Sequence, residues 1–399
     1  MINRIILVTS THLSSNPRLV KEAKALSEAD FFVSVIFLQH ITELEEFDQE
    51  IIQKLTGVEF FPINFGSKNT ASRYLNWKRL LRKLSIKINS KSELSENLFF
   101  PEFKKILNKN SADLYIGHTL QALPIVAWAA KNNKTKFAFD AEDYHRRETT
   151  DKIQNNFAEL TENKYLNGAQ YISTASKFIS DAYRKHFELQ KIITLNNFFT
   201  YNTLAYQGEI NNNKPIKIVW FSQTIGLNRG LKEFISKLVL LNPDLFELHL
   251  RGTSDESLKL QLLYNVSAHW RNKILFHEQC SPNELNSWLL SFDIGLALET
   301  TLPVNRDICI TNKIFQYFNA GLAVIATPTS GQKWVTDQAQ DACIMLDSNS
   351  DLGELKNWSK NRERLEYAKA AARYAAKEIF DWDEEKKKLI EVVKQIKID

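Results

Sequence analysis

Cysteine is scarce. Cys280, Cys309 and Cys343 are the three in 399 residues, an odd and scattered set. They exclude a disulfide framework and a cysteine metal cluster, and a reducing cytoplasm is the expected compartment. Long apolar runs are missing too: none approaches the ~18–20 residues of a membrane span. Residues 4–10 are apolar and have the length of a signal-peptide core. No small-residue cleavage site follows them, and the polar stretch Ser14 to Arg18 comes next, so they read as a first buried strand. The charge imbalance is only +4, which makes no case for nucleic acid. Solenoid-length repeats and low-complexity tails are also absent.

What is present is an alternation of β-rich apolar runs with segments of helical period. Strands are expected at 4–10, 31–38, 58–63, 113–117, 135–140, 170–174 and 191–195, with helices such as Pro17 to Ala29 and Leu123 to Lys131 between them. Residues 207–215, with Gly208, three consecutive asparagines and Pro215, are the best linker. The pattern then restarts: strands at 216–221, 246–250, 274–277, 293–298, 323–327 and 342–346, helices at 230–241, 283–291 and 313–320. The fold class is therefore α/β, with two Rossmann-like domains of parallel sheet facing a cleft. The expected division is an N-terminal Rossmann-like domain over 1–206, a second over 216–375 and a C-terminal helix over 376–399. The charged helical stretch from Leu355 to Lys397 is interrupted at 380–383, and the helix beyond that break is expected to cross back onto the first domain.

In open parallel sheets a ligand sits beyond the carboxyl ends of the strands, so the loops there carry the candidate chemistry. The loop Ser222 to Gly230 enters a helix at Leu231. A helix N-terminus offers free N–H groups and a positive dipole end, and Arg229 adds a permanent bidentate cation, a combination suited to phosphate. Lys313 falls in the first turn of a helix capped by Thr311 or Asn312, where a cation opposes the dipole; a bound anion would remove the conflict. His118 ends the strand Asp113 to Gly117, placed to bond a substrate hydroxyl or exchange a proton. Asp140, Glu142 and Asp143 follow another strand, placed to orient a sugar or act as a base. Each of these also fits an ordinary structural part: a surface arginine, a surface lysine, a histidine bonded to backbone, a solvated acidic loop.

Taken in order, these residues resemble retaining GT-B glycosyltransferases of family four. The resemblance lies in Asn16 to Leu26, Gly117-His118, the Asp140 loop, Ser173 to Lys177 with Ile192 to Phe198, Trp220 to Gly230, Leu250-Arg251-Gly252, Phe292 to Gly295, Asn312 to Thr327 and Phe380 to Asp383. It implies a nucleotide-sugar donor held mainly by the second domain through Ser222, Gly226, Arg229, Arg251, Asn312, Lys313 and Gln316. Arg229 and Lys313 would neutralise the departing diphosphate. Gln316 would meet the ribose, and His118 would line the donor-sugar site. Asn16, Asp140 and Glu142 would face the acceptor or the sugar. No cofactor and no metal is implied. The family commonly carries two glutamates eight positions apart, and here Ile308 and Gln316 stand at those positions, with Glu299 and Asp307 nearby as substitutes. Ser14-Ser15-Asn16 replaces a glycine pair, and Glu142 stands where a histidine is common. The Asp381/Asp383 triplet falls on the closing helix and is read as coincidence.

Residues 72–91 carry seven basic and no acidic side chains beside Tyr74, Leu75, Trp77, Leu80, Leu81 and Leu84. Such a segment suits peripheral contact with an anionic membrane at the inner face, or simple packing on the first domain. The expected partners are a nucleotide-sugar donor and a saccharide or lipid-linked acceptor of cell-surface glycan synthesis, with no nucleic acid. Two rivals remain: a catalytically silent GT-B protein that binds a nucleotide or a partner, and a nucleotide-sugar epimerase of the same architecture.

Overall fold

The computed structural model describes residues 2–64, 76–78, 80–81, 97–187, 192–201, 214–346 and 352–397. It divides into two compact units, Met1–Asn196 with Lys386–Asp399, and Asn197–Glu385. Residues 207–213 of the expected linker lie outside the described residues, as does most of the basic segment 72–91. Of that segment, Trp77 and Leu80 are exposed, while Lys78 is buried with its Nζ 2.7 Å from Glu102 Oε1.

The first unit carries β1 (Arg4–Thr9), β2 (Phe32–Gln39), β3 (Val58–Asn64), β4 (Leu114–His118), β5 (Lys136–Ala141), β6 (Ile172–Thr174) and β7 (Ile192–Thr194). They form one parallel sheet in the order β3-β2-β1-β4-β5-β6-β7. The apolar runs explain it: β1, β2, β4 and β5 are buried on both faces, which only a sheet covered by helices on each side permits. Pro62 sits on β3, the edge strand, where a missing backbone donor is tolerated. The register aligns Thr9 with His118 and His118 with Asp140 at the carboxyl ends of β1, β4 and β5.

The second unit carries β8 (Ile216–Thr224), β9 (Phe246–Thr253), β10 (Ile274–His277), β11 (Ile294–Ala297), β12 (Ala323–Ala326) and β13 (Cys343–Met345). The order is β10-β9-β8-β11-β12-β13, again parallel throughout. Its core gathers Trp220, Phe234, Leu248, Leu296 and Ile325 between sheet and helices. β8 and β9 run past their expected ends because pairing resumes at Thr224 and Thr253 after an irregularity beyond Phe221. Each sheet reverses its strand order once, between β1 and β4 and between β8 and β11, and the loops leaving those strands flank the crevice where open α/β sheets bind ligands.

The break expected at 380–383 is narrower. The helix Arg362–Tyr374 continues as a wide turn over Ala375–Ile379, and after Phe380 and Asp381 a new helix, Trp382–Lys394, starts. Phe380 turns into a cluster with Phe198, Phe315, Phe318 and Trp334, which ends the first helix by packing. Asp381 accepts from the Tyr201 backbone N–H.

Candidate functional site

The first unit buries four charged side chains at its switch point. The helix Pro17–Glu28 begins at Asn16, whose Oδ1 caps it by accepting from Leu19 N–H while its Nδ2 donates to Thr9 Oγ1 at 3.4 Å. Arg18 and Glu22 follow one turn apart on the buried side of that helix, among Leu19, Ala23 and Leu26. Arg18 Nε and Nη2 each donate to Asp140 at 2.7 Å, and Nη1 donates to the Leu195 carbonyl. Glu22 Oε1 lies 3.5 Å from Arg18 Nε, and Oε2 lies 3.4 Å from His118 Nε2. His118 Nδ1 closes the circuit 3.4 Å from Asp140. Ser173 Oγ donates to Asp140 Oδ1 at 2.6 Å. The result is a closed ring of alternating charge, Arg18–Asp140–His118–Glu22, in which no member is more than 1% exposed.

Burial opposes the imidazolium of His118, but Glu22 and Asp140 outweigh it and push its pKa up to about 9. Burial would raise the Asp140 carboxyl, yet Arg18 and His118 hold it well below the usual carboxylate range. Glu22, His118 and Asp140 form the one set of clustered metal-capable side chains among the described residues. An ion there would have to compete with Arg18, which already engages both oxygens of Asp140. At the strand end, His118 is enclosed between the carboxylates of Glu22 and Asp140. Beside the ring, half-buried Lys21 is pushed down to about 7 by burial and Arg18, and half-buried Glu142 is pushed up to about 7 by burial and Asp143.

The second unit gathers a different four at its own switch point. Beyond β8 the chain makes a tight turn over Leu227–Arg229 and enters the helix Leu231–Leu238 through Gly230, at φ 71°, a conformation glycine adopts without strain. Beyond β11 comes Glu299. Its N–H donates to Thr327 Oγ1 and its carbonyl accepts from the same hydroxyl, both at 2.8 Å. Three cations converge on its carboxylate: Arg229 Nη1 at 3.4 Å and Lys313 Nζ at 3.7 Å from Oε1, and Arg306 Nη1 at 3.8 Å from Oε2. The side chains of Arg229 and Arg306 are 33% and 29% exposed, against 3% for Glu299, so the cations ring an open side. Lys313 also lies 5.2 Å over the Trp220 ring. Burial lowers its pKa to about 8; Arg229 and Arg306 add to that effect and Glu299 opposes it.

Two contacts hold Arg306 in range. Asp307 accepts from both the N–H and the hydroxyl of Ser330, at the start of the helix Ser330–Gln338. Gly331 lets that helix approach so closely that an added Cβ would stand 2.1 Å from the Cys309 carbonyl oxygen. Of the two acids expected to stand in for the glutamate pair, Glu299 enters the cation group and Asp307 braces a helix. Thr311 takes the N-cap position of the helix Asn312–Asn319, but its hydroxyl makes no capping bond and is buried without a hydrogen-bond partner.

No protein-family model and no curated protein matches the sequence. Solved structures match over nearly its whole length. HepE of Anabaena, solved with UDP and glucose, superposes with a TM-score of 0.70 at 13% identity, covering 99% of this chain and 100% of that one. Sucrose-phosphate synthase from Thermosynechococcus elongatus gives 0.72 at 11% identity, over 98% and 99%. The fold is GT-B. A protein assigned as a UDP-N-acetylglucosamine 2-epimerase from Listeria monocytogenes shares it at a TM-score of 0.59 and 10% identity, over 99% and 96%.

Within this GT-B chain the remaining expected donor residues fall around the loops of the second unit. Ser222 continues β8, and Gly226 opens the turn that carries Arg229. Arg251 lies 4.1 Å over the Trp288 ring and donates to the Glu278 carbonyl. Asn312 begins the helix that carries Lys313, and Gln316 Nε2 donates to Asn286 Oδ1. Sequence reasoning brought Arg229 and Lys313 forward and missed Arg18, Glu22 and Arg306. A signal for the first two exists: an arginine and a glutamate one turn apart, on the same stripe as Leu19, Ala23 and Leu26. Arg306 has none, since its five-residue helix shows no usable period. Among the described residues no helix is long and apolar enough to cross a membrane.

Proposed function

We propose that this chain is a glycosyltransferase that takes a sugar from a nucleotide-diphosphate donor held by its second unit and gives it to a saccharide or lipid-linked acceptor. The observation that carries this reading is the convergence of Arg229, Arg306 and Lys313 on one point beside the β8–β11 switch. Glycosyl transfer needs charge stabilisation on the departing diphosphate, and preorganised cations in a part-buried site supply it. The GT-B neighbours solved with UDP and glucose support the donor class. Arg229 and Lys313 hold the diphosphate, and its leaving oxygen takes the acceptor proton on the same face, giving retention. Gln316 and Arg251 serve the nucleoside, Lys21 and Glu142 the acceptor side. No metal takes part, and the basic segment 72–91 brings the protein to anionic lipid.

The absent glutamate pair favours a second reading, a GT-B protein that binds its nucleotide without transfer, and the epimerase-assigned neighbour adds isomerisation of a nucleotide sugar as a third. A thermal-shift screen against UDP, GDP, ADP, CMP and their sugar conjugates tests the donor site. A ligand at about 100 times its Kd stabilises the fold by about 2.7 kcal/mol. Stabilisation by one nucleotide, lost in Arg229→Ala, supports the site, and product analysis with that donor separates transfer, isomerisation and silence. No response to any nucleotide would sink the assignment.

A further inference from the structure

The group around Glu299 has a charge as well as a shape. Three cations and one carboxylate leave a formal +2. Glu299 is not a mobile surface acid: its side chain is 3% exposed, and its backbone is clamped at both polar atoms by Thr327. Its separations from the cations, 3.4 to 3.8 Å, are longer than the roughly 2.7–2.9 Å of a committed charge-assisted hydrogen bond. The carboxylate draws Arg229, Arg306 and Lys313 together against their mutual repulsion through long contacts, the shortest a 3.4 Å hydrogen bond from Arg229. The diphosphate of a nucleotide sugar is a diester with two negative charges. Once the sugar leaves, the new terminal phosphate gains another, since its second ionisation falls near pH ~6.

We infer that Glu299 is a positioning residue that fixes this receptor at +2, matching the intact donor and keeping the three-charge product from binding more tightly than the donor. The inference rests on the nucleotide-sugar reading and adds to it a determinant of donor-over-product selectivity. A purely structural Glu299 would brace the loop and affect both ligands alike.

The test is the ratio of two dissociation constants, for UDP-glucose and for UDP, measured by titration calorimetry on the whole chain, with GDP-mannose and GDP as a second pair. Glu299→Gln raises the receptor to +3 and is expected to tighten UDP relative to UDP-glucose by about 10-fold, because an added charge in a part-buried site acts more strongly on the more charged ligand. Glu299→Asp keeps the charge and the wild-type ratio. Glu256→Gln, at an exposed pair with Lys259, also leaves it unchanged. Arg306→Gln lowers the receptor to +1 and moves the ratio the other way, so the idea stays testable if Glu299→Gln fails to fold. Wild-type binding of either pair with a ratio unmoved in Glu299→Gln, or in Arg306→Gln if Glu299→Gln does not fold, overturns the inference and leaves the donor site standing. Wild type that binds neither pair overturns the nucleotide-sugar reading and this inference with it.

Discussion

Arg18, Glu22, His118 and Asp140 in the first unit, and Arg229, Glu299, Arg306 and Lys313 in the second, are both groups of four charges beyond the switch-point strands of a parallel sheet. The first alternates in sign, sums to zero with His118 protonated, and is shut off from water. The second has one anion for three cations, and two of those cations reach solvent. Buried charges persist only when paired, and a pair closed on itself has little left to offer a ligand. An excess of one sign on an open side is the condition for holding an anion. Charge balance, more than residue type, separates the part that holds the fold from the part proposed to bind.

The severest test of that contrast is Arg18→Ala. It leaves Glu22 and Asp140 buried without their main counter-ion and is expected to lower stability by about 3–5 kcal/mol in denaturant unfolding. A loss below about 1 kcal/mol would mean that the ring is wet and the contrast false. Lys313→Ala should do the reverse. Turnover falls about 10²–10³-fold, as on removal of one oxyanion-stabilising donor. Its melting temperature should hold or rise at pH 7, because a lysine held near 8 is one whose charge is disfavoured by the fold. A collapse of the fold would assign Lys313 a structural duty instead.

Stability against pH should divide the two groups by sign. His118 has a folded pKa of about 9 against ~6.5 unfolded, so its contribution is complete below about pH 6.5 and fades as pH rises through 9, on the order of 3 kcal/mol in all. Lys313 is depressed, so its contribution is complete above about pH 10.4 and is lost as pH falls through 8. Urea unfolding from pH 6.5 to 9.5, compared between wild type and His118→Gln, should show a smaller alkaline loss in the variant, which keeps His145, another buried histidine held near 9 by Glu148. The smallest effect sharpens a role. Asn16→Ala removes a helix cap and should lower stability by about 1 kcal/mol without altering nucleotide affinity, as measured by thermal melting and calorimetry.

Much of the architecture is legible in the sequence for a physical reason. Strands of a covered parallel sheet are near-continuous apolar runs, so β1, β2 and β8 to β12 announce themselves. The ends are less legible where backbone pairing alone extends a strand, as at Ser222 to Thr224, because polar residues there leave no pattern. The cation group was half legible: Arg229 and Lys313 stand where loops enter helices, a local signal. Glu299 as their common partner is a tertiary fact, created by bringing two βα loops and a later helix together. The ring was hidden further, because charges on a buried stripe read as ordinary helix composition until their distant partners, His118 for Glu22 and Asp140 for Arg18, are in place.

The makeup of the first unit carries a consequence for synthesis. Its last part, Lys386–Asp399, follows the entire second unit, and Leu389 and Val393 are fully buried. Lys386 reaches back to Glu28 at 3.3 Å. The second unit is thus a guest inserted in a host. On the ribosome, at roughly 5–20 residues per second, the host's first 196 residues must wait about 10–40 s for their closing segment, while the guest emerges uninterrupted. The nascent host keeps an apolar seam uncovered through that interval, a natural point for chaperone capture.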